Sequence, residues 1–301
     1  MTARKSLITD IQRFCLSDGP GIRTTVFFKG CNMRCAWCHN PETLCYESDL
    51  LFYPAKCIGC GKCFTACPHG AHSIKNGVHK IDRALCRKCG RCADVCYAEA
   101  LVMSGKERTV DEVMAEILRD RDYYAASGGG VTLSGGEVLC HMDFAIRLAE
   151  ACRKEGISVA IESNLSLPYE HIEPLLRLVD VIMADIKLYN DEAHRKYTGL
   201  SNRTTLENVR RITDIPLIIR TPLIAGVTAT RENLTSIAAF LSGKENLLYY
   251  QLLNFNPLGA AKYAGMDEPN PFAALRPYTE AEMKAFGAML AGCGVKIKVG
   301  E

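Results

Sequence analysis

The sequence lacks several features that would at once assign a protein to a class. Its 36 lysines and arginines nearly balance 34 aspartates and glutamates, so composition gives no support for a nucleic-acid partner. No stretch approaches the roughly 18 uninterrupted apolar residues that a membrane helix needs. The chain opens at residues 1–5 without an apolar signal core. These absences predict a soluble protein of the cytoplasm whose partner is a protein or a small molecule.

Cysteine is the residue that the sequence has in excess, with 16 in 301 positions. Most of them fall in short runs with two-residue gaps, and such runs without an export signal indicate metal ligation in a reducing compartment. We expect most of the cysteines outside these runs to be buried apolar thiols. They are Cys15, Cys45, Cys140, Cys152 and Cys293.

The first run is a C-x3-C-x2-C triplet, Cys31, Cys35 and Cys38, just after the apolar run 24–28. Iron-sulfur clusters normally take four cysteines, so a triplet leaves one iron open to a non-protein ligand. The alternatives are zinc or reduced structural thiols. Zinc knuckles usually bring two separated pairs, and His39 lies too close to Cys38 in the chain to close a tetrahedron with all three thiols.

A second group of eight cysteines occupies residues 53–104, where apolar periodicity disappears and Gly and Pro are frequent. The group is a repeat with a 29-residue offset, C-x2-C-x2-C-x3-C, and this is the pattern of two-cluster bacterial ferredoxins. In that pattern the fourth cysteine of each half ligates the cluster of the other half. The predicted quartets are Cys57, Cys60, Cys63 and Cys96, and Cys86, Cys89, Cys92 and Cys67.

Two structural zinc sites are the alternative for this insert. Three successive short spacings wrap around a four-iron cube better than around one tetrahedral ion. The second half departs from the pattern because Tyr97 stands where proline is usual, as at Pro68. The insert is too short to bury much core, so its clusters would also stabilise it.

After residue 106 the chain alternates between helix and strand patterns, which predicts parallel βα units. Capping boxes at Thr109 and Thr279 predict two helix starts. With the strand before the triplet there are six units and a terminal strand. The predicted strands are 7–14, 24–28, 131–133, 158–161, 179–186, 217–220, 247–253 and 295–299. The helices after that at Thr109 are predicted at 143–154, 169–178, 206–212, 232–241 and 279–292.

Polar residues follow several of these strands, where sites form in α/β sheets and barrels. A Gly pair at 135–136 allows close backbone approach to a ligand, although such a pair is often a plain turn. Glu162 suits a pair of ribose hydroxyls, whereas Ser163 or Asn164 could instead cap a helix. The remaining charged candidates are Asp185, Lys187 and Arg220, which either face a ligand or form ordinary ion pairs.

The triplet, with Trp37 before its last cysteine, resembles the signature of the radical S-adenosylmethionine superfamily. The flanking segments 18–24 (DGPGIRT) and 39–42 (HNPE) resemble the activating enzymes of glycyl radical enzymes. The resemblance covers nearly the whole chain and implies an open six-stranded partial TIM-like barrel. It also implies that the amino and carboxylate groups of S-adenosylmethionine chelate the open iron.

The resemblance further implies which residues contact S-adenosylmethionine. The 134–137 motif would meet its amino group, and Val138 stands where many relatives have proline. Asp185 and Lys187 would hold the cofactor and the partner's glycine loop. Asn256 stands where relatives often have histidine, and an amide cannot titrate. Trp37 would stack on adenine or fill core. The cofactor candidates are Trp37, Cys38, His39, Ser134, Gly135, Gly136, Glu137, Glu162, Ser163, Asn164, Asp185, Ile186, Lys187, Arg220 and Asn256.

The sequence therefore predicts an α/β enzyme with a barrel at residues 1–52 and 105–301 and a ferredoxin-like insert at 53–104. It would be a monomeric, anaerobic oxidoreductase with three 4Fe-4S clusters. It would cleave S-adenosylmethionine to a 5'-deoxyadenosyl radical that takes hydrogen from a glycine of a partner enzyme. Reduced flavodoxin or ferredoxin would supply electrons.

Two alternatives remain at this point. One is another radical S-adenosylmethionine enzyme that uses auxiliary clusters on a peptide or small molecule; two complete quartets leave no open iron for that role. The other is a non-enzymatic electron carrier, for which the insert alone would suffice. About 200 further residues of βα framework argue against a carrier.

Overall fold

The computed structural model describes residues 5–300; predictions for residues 1–4 and for 301 lie outside this part. The strands are β1 Lys5–Cys15, β2 Arg23–Phe28, β3 Asp49–Phe52, β4 His72–Lys75, β5 Val78–Ile81, β6 Leu101–Ser104, β7 Lys106–Thr109, β8 Gly130–Gly135, β9 Ser158–Ser163, β10 Val181–Asp185, β11 Leu217–Pro222, β12 Leu247–Leu253 and β13 Ile297–Val299. The helices are α1 Lys62–Ala66, α2 Arg91–Asp94, α3 Val110–Ile117, α4 Arg121–Ser127, α5 Met142–Lys154, α6 Tyr169–Leu176, α7 Asp191–Thr198, α8 Arg203–Arg211, α9 Arg231–Leu241, α10 Gly259–Met266 and α11 Glu280–Met289.

One nine-stranded sheet organises the chain, in the order β13-β12-β11-β10-β9-β8-β2-β1-β7. From β2 to β13 all neighbours are parallel, which confirms the predicted parallel βα units with a terminal strand. β1 and β7 add an antiparallel edge, and β7 was not predicted. The two edge strands, β13 and β7, are not paired with each other, so the sheet is open. Both predicted capping boxes are present, at Thr109 and Thr279.

The two faces of the sheet differ in character because successive side chains alternate between them. One face carries large apolar side chains and packs under the helices, and it forms the main core. Its buried strand residues include Val26, Leu133, Ile161, Ile182 and Ile219. The other face carries buried threonines and a second, small apolar cluster. These include Thr25, Thr132, Ala160, Met183 and Ile218.

The first glycine of the predicted Gly pair serves the sheet itself. Gly135 has a φ of +111°, and a Cβ on it would lie 2.2 Å from the backbone nitrogen of Phe28 on β2. A Cβ on Gly136 would lie 2.3 Å from the carbonyl oxygen of Gly30. The Gly pair was expected to let a ligand approach the backbone closely. In the structure it is β2 and the residues just after it that approach this closely, so the glycines are needed for packing within the protein.

Gly135→Ala is expected to destabilise the protein by more than about 3 kcal/mol, because strain and a backbone collision act together. Gly156→Ala is the matched control: its φ is +71°, but nothing lies within 4 Å of a Cβ there. It should cost only about 1 kcal/mol. Urea unfolding of both variants under anaerobic conditions measures the difference, and equal losses would contradict the packing argument.

Residues 53–100 form an excursion from the sheet that leaves and returns through the antiparallel pair β3 and β6. Its two halves repeat in structure as well as in sequence. Gly59 and Lys88, Gly61 and Gly90, and Gly70 and Glu99 are 29 residues apart, and all six have positive φ. α1 and α2 start at the same position of each half. The two cysteine runs therefore share one backbone conformation.

Candidate active site

The triplet lies in the loop after β2, and this loop is held by α7. The backbone nitrogen of Arg34 donates to the carbonyl of Thr198 at 2.7 Å, and that of Ala36 donates to Tyr197 at 2.9 Å. The sequence analysis missed α7 because its residues are mostly polar. The Asn190 side chain that caps it and Gly199 at its end were the available signals.

Of the three cysteines of the triplet, Cys31 is buried, whereas Cys35 and Cys38 are mostly buried but reach the cleft surface. Burial raises the pKa of Cys31 and of Cys38 to about 12, and burial also raises the pKa of Cys35. Thiolates, the form that binds metal, are thus costly here unless a positive group joins them. An iron-sulfur cluster supplies that positive charge, so the donor set fits such a group better than three free thiols.

The three thiols open onto a cleft of about 280 Å³, near the lower end of the range for small-molecule sites. Most of the predicted cofactor residues line it. They are Trp37, Cys38, His39, Ser134, Gly135, Gly136, Glu137, Glu162, Ser163, Asn164, Asp185, Lys187 and Arg220. The cleft also contains residues that the sequence analysis did not single out: Phe27, Met33, Asn40, Thr43, Leu44, Pro222 and Leu253.

Two of the predicted cofactor residues, Ile186 and Asn256, do not line this cleft. The Ile186 side chain is 1% exposed and packs into the main core, because it alternates with Asp185 and Lys187 to the opposite face. Asn256 is exposed, and its Oδ1 accepts from the backbone nitrogen of Leu258 at 3.0 Å, so it closes a turn. It lines a neighbouring groove together with Trp37 and His39.

Glu137 links the ends of β8 and β9 from a fully buried position. Its carboxylate accepts from the Ser163 hydroxyl at 2.7 Å, from the Asn164 backbone nitrogen at 2.8 Å and from that of Leu139 at 3.1 Å. Burial raises its pKa, although these donors oppose the shift. Glu137 therefore positions the end of β9. Ser163 and Asn164 both hydrogen-bond to Glu137 and line the cleft.

Glu162 and Arg220 form an ion pair across the cleft, from β9 to β11. Ser134 donates to the other oxygen of Glu162. Burial lowers the pKa of Arg220, but the charges of Glu162 and Asp185 raise it above its usual value, so the guanidinium stays charged. Its Nε is buried without a partner, which leaves one donor for a bound ligand. Arg220 does form an ion pair, as one of its two predicted roles required, but the pair lies inside the cleft and not at the protein surface.

Asp185 and Lys187 lie on the same side of the end of β10. Lys187 Nζ is 2.5 Å from Asp185 Oδ2. Burial lowers the pKa of Lys187. The charges of Asp185 and of the Cys35 and Cys31 thiolates raise this pKa by more than burial lowers it, so the net shift is upward. A permanent cation therefore lies beside the triplet, where it favours thiolates.

Trp37 packs into a small aromatic cluster and is 8% exposed. It contacts Leu188 and Ile224, and its ring is edge-on to Phe272 with centroids 6.3 Å apart. Filling core, the second of its predicted roles, is what its contacts support. The part of the ring that remains open lines both the cleft and the neighbouring groove.

Lys262 on α10 joins the segment after the triplet to the far end of the sheet. Its Nζ lies 2.6 Å from Glu42 Oε1 and 2.6 Å from Asn40 Oδ1. Glu42 is 8% exposed and its second oxygen has no partner. Apart from His39, residues 39–42 had no predicted role beyond their resemblance to the activating enzymes, and α10 was not predicted.

Lys262→Met is expected to cost about 1–2 kcal/mol, because it leaves the Glu42 carboxylate buried and unpaired. Adding Glu42→Gln to this variant should recover part of the loss, since a neutral amide is less costly to bury. Urea unfolding of the single and double variants measures the coupling. Strictly additive losses would mean that the two side chains act independently.

The thiols of the insert form two groups that cross between its halves. One pocket is lined by Cys57, Cys60, Cys63 and Cys96 together. In the other group, burial and the neighbouring thiols of Cys86 and Cys67 raise the pKa of Cys92 to about 11. Of the cysteines outside both runs and the triplet, only Cys152 is fully buried; the other four are partly exposed, so their predicted burial is wrong.

The family model described as the radical SAM superfamily matches residues 25–236. A radical SAM methyltransferase from Sphaerobacter thermophilus has the same fold, with a TM-score of 0.55 and 15% identity over 98% of this chain and 76% of that chain. The chain belongs to the radical SAM superfamily. S-adenosylmethionine and one 4Fe-4S cluster are the cofactors that this membership implies.

Two curated relatives narrow the class. The chain is 38% identical to the indoleacetate decarboxylase activating enzyme of Tractidigestivibacter scatoligenes, over 97% of this chain and 96% of that protein. It is 39% identical to the (2S)-3-sulfopropanediol dehydratase activating enzyme of Klebsiella oxytoca, over 87% and 86%. Within the superfamily it belongs to the activating enzymes of glycyl radical enzymes, and its partner is a protein. This confirms the predicted enzyme class over the electron-carrier alternative.

Proposed function

We propose that the cleft binds S-adenosylmethionine against a cluster on Cys31, Cys35 and Cys38, and that the chain thereby activates one glycyl radical enzyme. The observation that carries this proposal is the opening of the three thiols of Cys31, Cys35 and Cys38 onto one cleft lined by six strand ends. When bound, these groups supply a one-electron cleavage that yields methionine and a 5'-deoxyadenosyl radical, which takes hydrogen from the partner's glycine.

The chain's own residues bind, orient and exclude water. Ser134 and the 135–137 backbone would meet the amino group of the cofactor, and Glu162 with Ser163 and Asn164 would face its ribose and methionine parts. Arg220 has a free buried donor for a carboxylate or a hydroxyl. Lys187 and Asp185 keep a paired charge beside the triplet. Trp37, with an edge open to the cleft, would contact adenine.

We further propose that residues 53–104 are a ferredoxin-like domain with two more clusters, separate from the barrel of 1–52 and 105–301. The matched positive φ angles of the two halves and the crossed grouping of thiols support this proposal. The quartets would be those of the crossed pattern. This resembles a pyruvate formate-lyase activating enzyme to which such an insert has been added.

A reduced flavodoxin or ferredoxin would supply electrons to a monomer in an anaerobic cytoplasm. No disulfide joins any two cysteines among residues 5–300. Among residues 5–300, no helix has the length and apolar character to cross a membrane.

The test combines the reconstituted chain with candidate glycyl radical enzymes and follows two readouts. We expect 5'-deoxyadenosine to form with a strong reductant, and an organic radical signal to appear by electron paramagnetic resonance on one partner. The relatives suggest a panel of an arylacetate decarboxylase, a sulfonate lyase, a diol dehydratase and a choline lyase. Cofactor cleavage without a radical on any panel member would leave the cleft proposal intact and exclude these partners. No cleavage at all would overturn it.

A further inference from the structure

The hairpin of β4 and β5 brings a histidine ring onto the first thiol quartet of the insert. His79 Nδ1 is 3.9 Å from Cys57 Sγ, and His79 Nε2 is 4.0 Å from Cys63 Sγ. Both distances are within hydrogen-bond range for sulfur. The ring is held from both sides, with centroids 4.5 Å from Phe52 and 5.1 Å from Phe64. His79 is therefore a fixed neighbour of this quartet.

A second histidine determines which ring nitrogen of His79 carries the proton. His72 Nδ1 lies 2.9 Å from His79 Nε2, and one proton lies between them. If His72 donates this proton, the proton of His79 itself lies on Nδ1 and points to Cys57. The opposite arrangement would aim a lone pair at a thiolate, which is repulsive. Ligation of metal by Cys57 thus selects the donating form.

The second quartet has no equivalent ring. His79 belongs to the segment 72–81 that joins the two halves, and among residues 5–300 no histidine nitrogen lies within hydrogen-bond distance of Cys67, Cys86, Cys89 or Cys92. The repeat therefore contains its own control: two thiol quartets on matching backbones, of which one has a histidine N–H at a ligand. Hydrogen bonds to ligand sulfur stabilise the added negative charge of a reduced cluster and so raise its reduction potential.

We propose that His79 donates its Nδ1–H to the Cys57 thiolate and raises the reduction potential of the cluster on the first quartet above that on the second. This rests on the proposed two-cluster insert. In a one-electron reduction of the insert, the electron from an external low-potential donor then resides on the first quartet. His72 is a positioning residue, because it acts only through the tautomer of His79.

The test is a potentiometric titration of the full reconstituted chain with dithionite and mediators, followed by electron paramagnetic resonance. His79→Phe keeps an aromatic ring against Phe52 and Phe64 but removes the N–H. The midpoint potential of one insert cluster should fall, while those of the other two clusters stay unchanged. His72→Phe should shift the same cluster by less. His171→Phe is the control, an exposed histidine on α6 outside the insert, and it should shift none.

Unchanged potentials in His79→Phe, or equal shifts of both insert clusters, would overturn the proposal. If that variant fails to hold its clusters, labelling the natural chain with ¹⁵N-histidine decides. Hyperfine coupling from one histidine nitrogen to one reduced insert cluster is the expected result, and no coupling overturns it. Iron near four per chain, or zinc held by Cys63, His72 and His79, would instead refute the two-cluster insert, so the two failures are distinguishable.

Discussion

Replacing Cys31, Cys35 and Cys38 together by alanine is expected to remove one third of the iron and all cleavage of S-adenosylmethionine. Three four-iron clusters hold about twelve irons per chain, so the variant should retain about eight. The loss of cleavage should be complete because the two insert quartets leave no iron open for the cofactor. Iron and sulfide analysis and detection of 5'-deoxyadenosine measure both effects.

A matched triple variant, Cys15→Ala with Cys45→Ala and Cys293→Ala, controls for the removal of three thiols. These cysteines are partly exposed and lie in no ligand spacing. The control should keep about twelve irons and full cleavage. Iron near four per chain in the natural protein, or stoichiometric zinc, would contradict the proposal of two clusters in the insert. It would not contradict the proposed cluster at the triplet.

Cys89→Ser is expected to separate the two possible roles of the insert. Cys89 is exposed and is a proposed ligand of the second quartet. Two closed clusters do no bond chemistry themselves, so the insert either conducts electrons or supports docking of the partner. If it conducts, a small, strong reductant that reaches the triplet directly should still drive cleavage of the cofactor. Turnover with a reduced flavodoxin or ferredoxin should fail.

The opposite outcome identifies a docking role. Both electron sources would then cleave the cofactor normally in the variant, and no glycyl radical would form on the partner. The conduit account would be wrong in that case. Cys45→Ser provides the control, because it also changes a partly exposed thiol but in no proposed ligand set. Iron analysis of Cys89→Ser shows whether the rest of the insert has assembled.

The cleft shows that binding and positioning roles overlap in a few side chains. The Glu137 carboxylate already accepts hydrogen bonds from Ser163 and Asn164, and the Gly135 backbone already packs against β2. Substitutions at these positions therefore change the shape of the cleft as well as any direct ligand contact. Arg220 is also paired, with Glu162, but its Nε has no partner within the described residues and remains available for a direct ligand contact.

The sequence by itself determined the chemistry and the strand pattern. Ligand spacing is a local property, so Cys31, Cys35 and Cys38 could be recognised before any fold was known. The alternation of helix and strand likewise follows from local periodicity, and both capping boxes are formed as predicted. Charged residues at strand ends, such as Asp185 and Lys187, could be assigned to the cleft because carboxyl ends of parallel strands meet at one edge.

Only the tertiary structure decided which long-range partners those residues have. The pairing of Glu162 with Arg220 joins residues 58 apart in sequence, and that of Lys262 with Glu42 joins residues 220 apart. No periodicity records such contacts. The polar helix α7 has local signals at both ends, but its contact with the triplet loop is likewise long-range and recorded in no local pattern. The ring of His79 against Cys57 likewise depends on how a hairpin folds back.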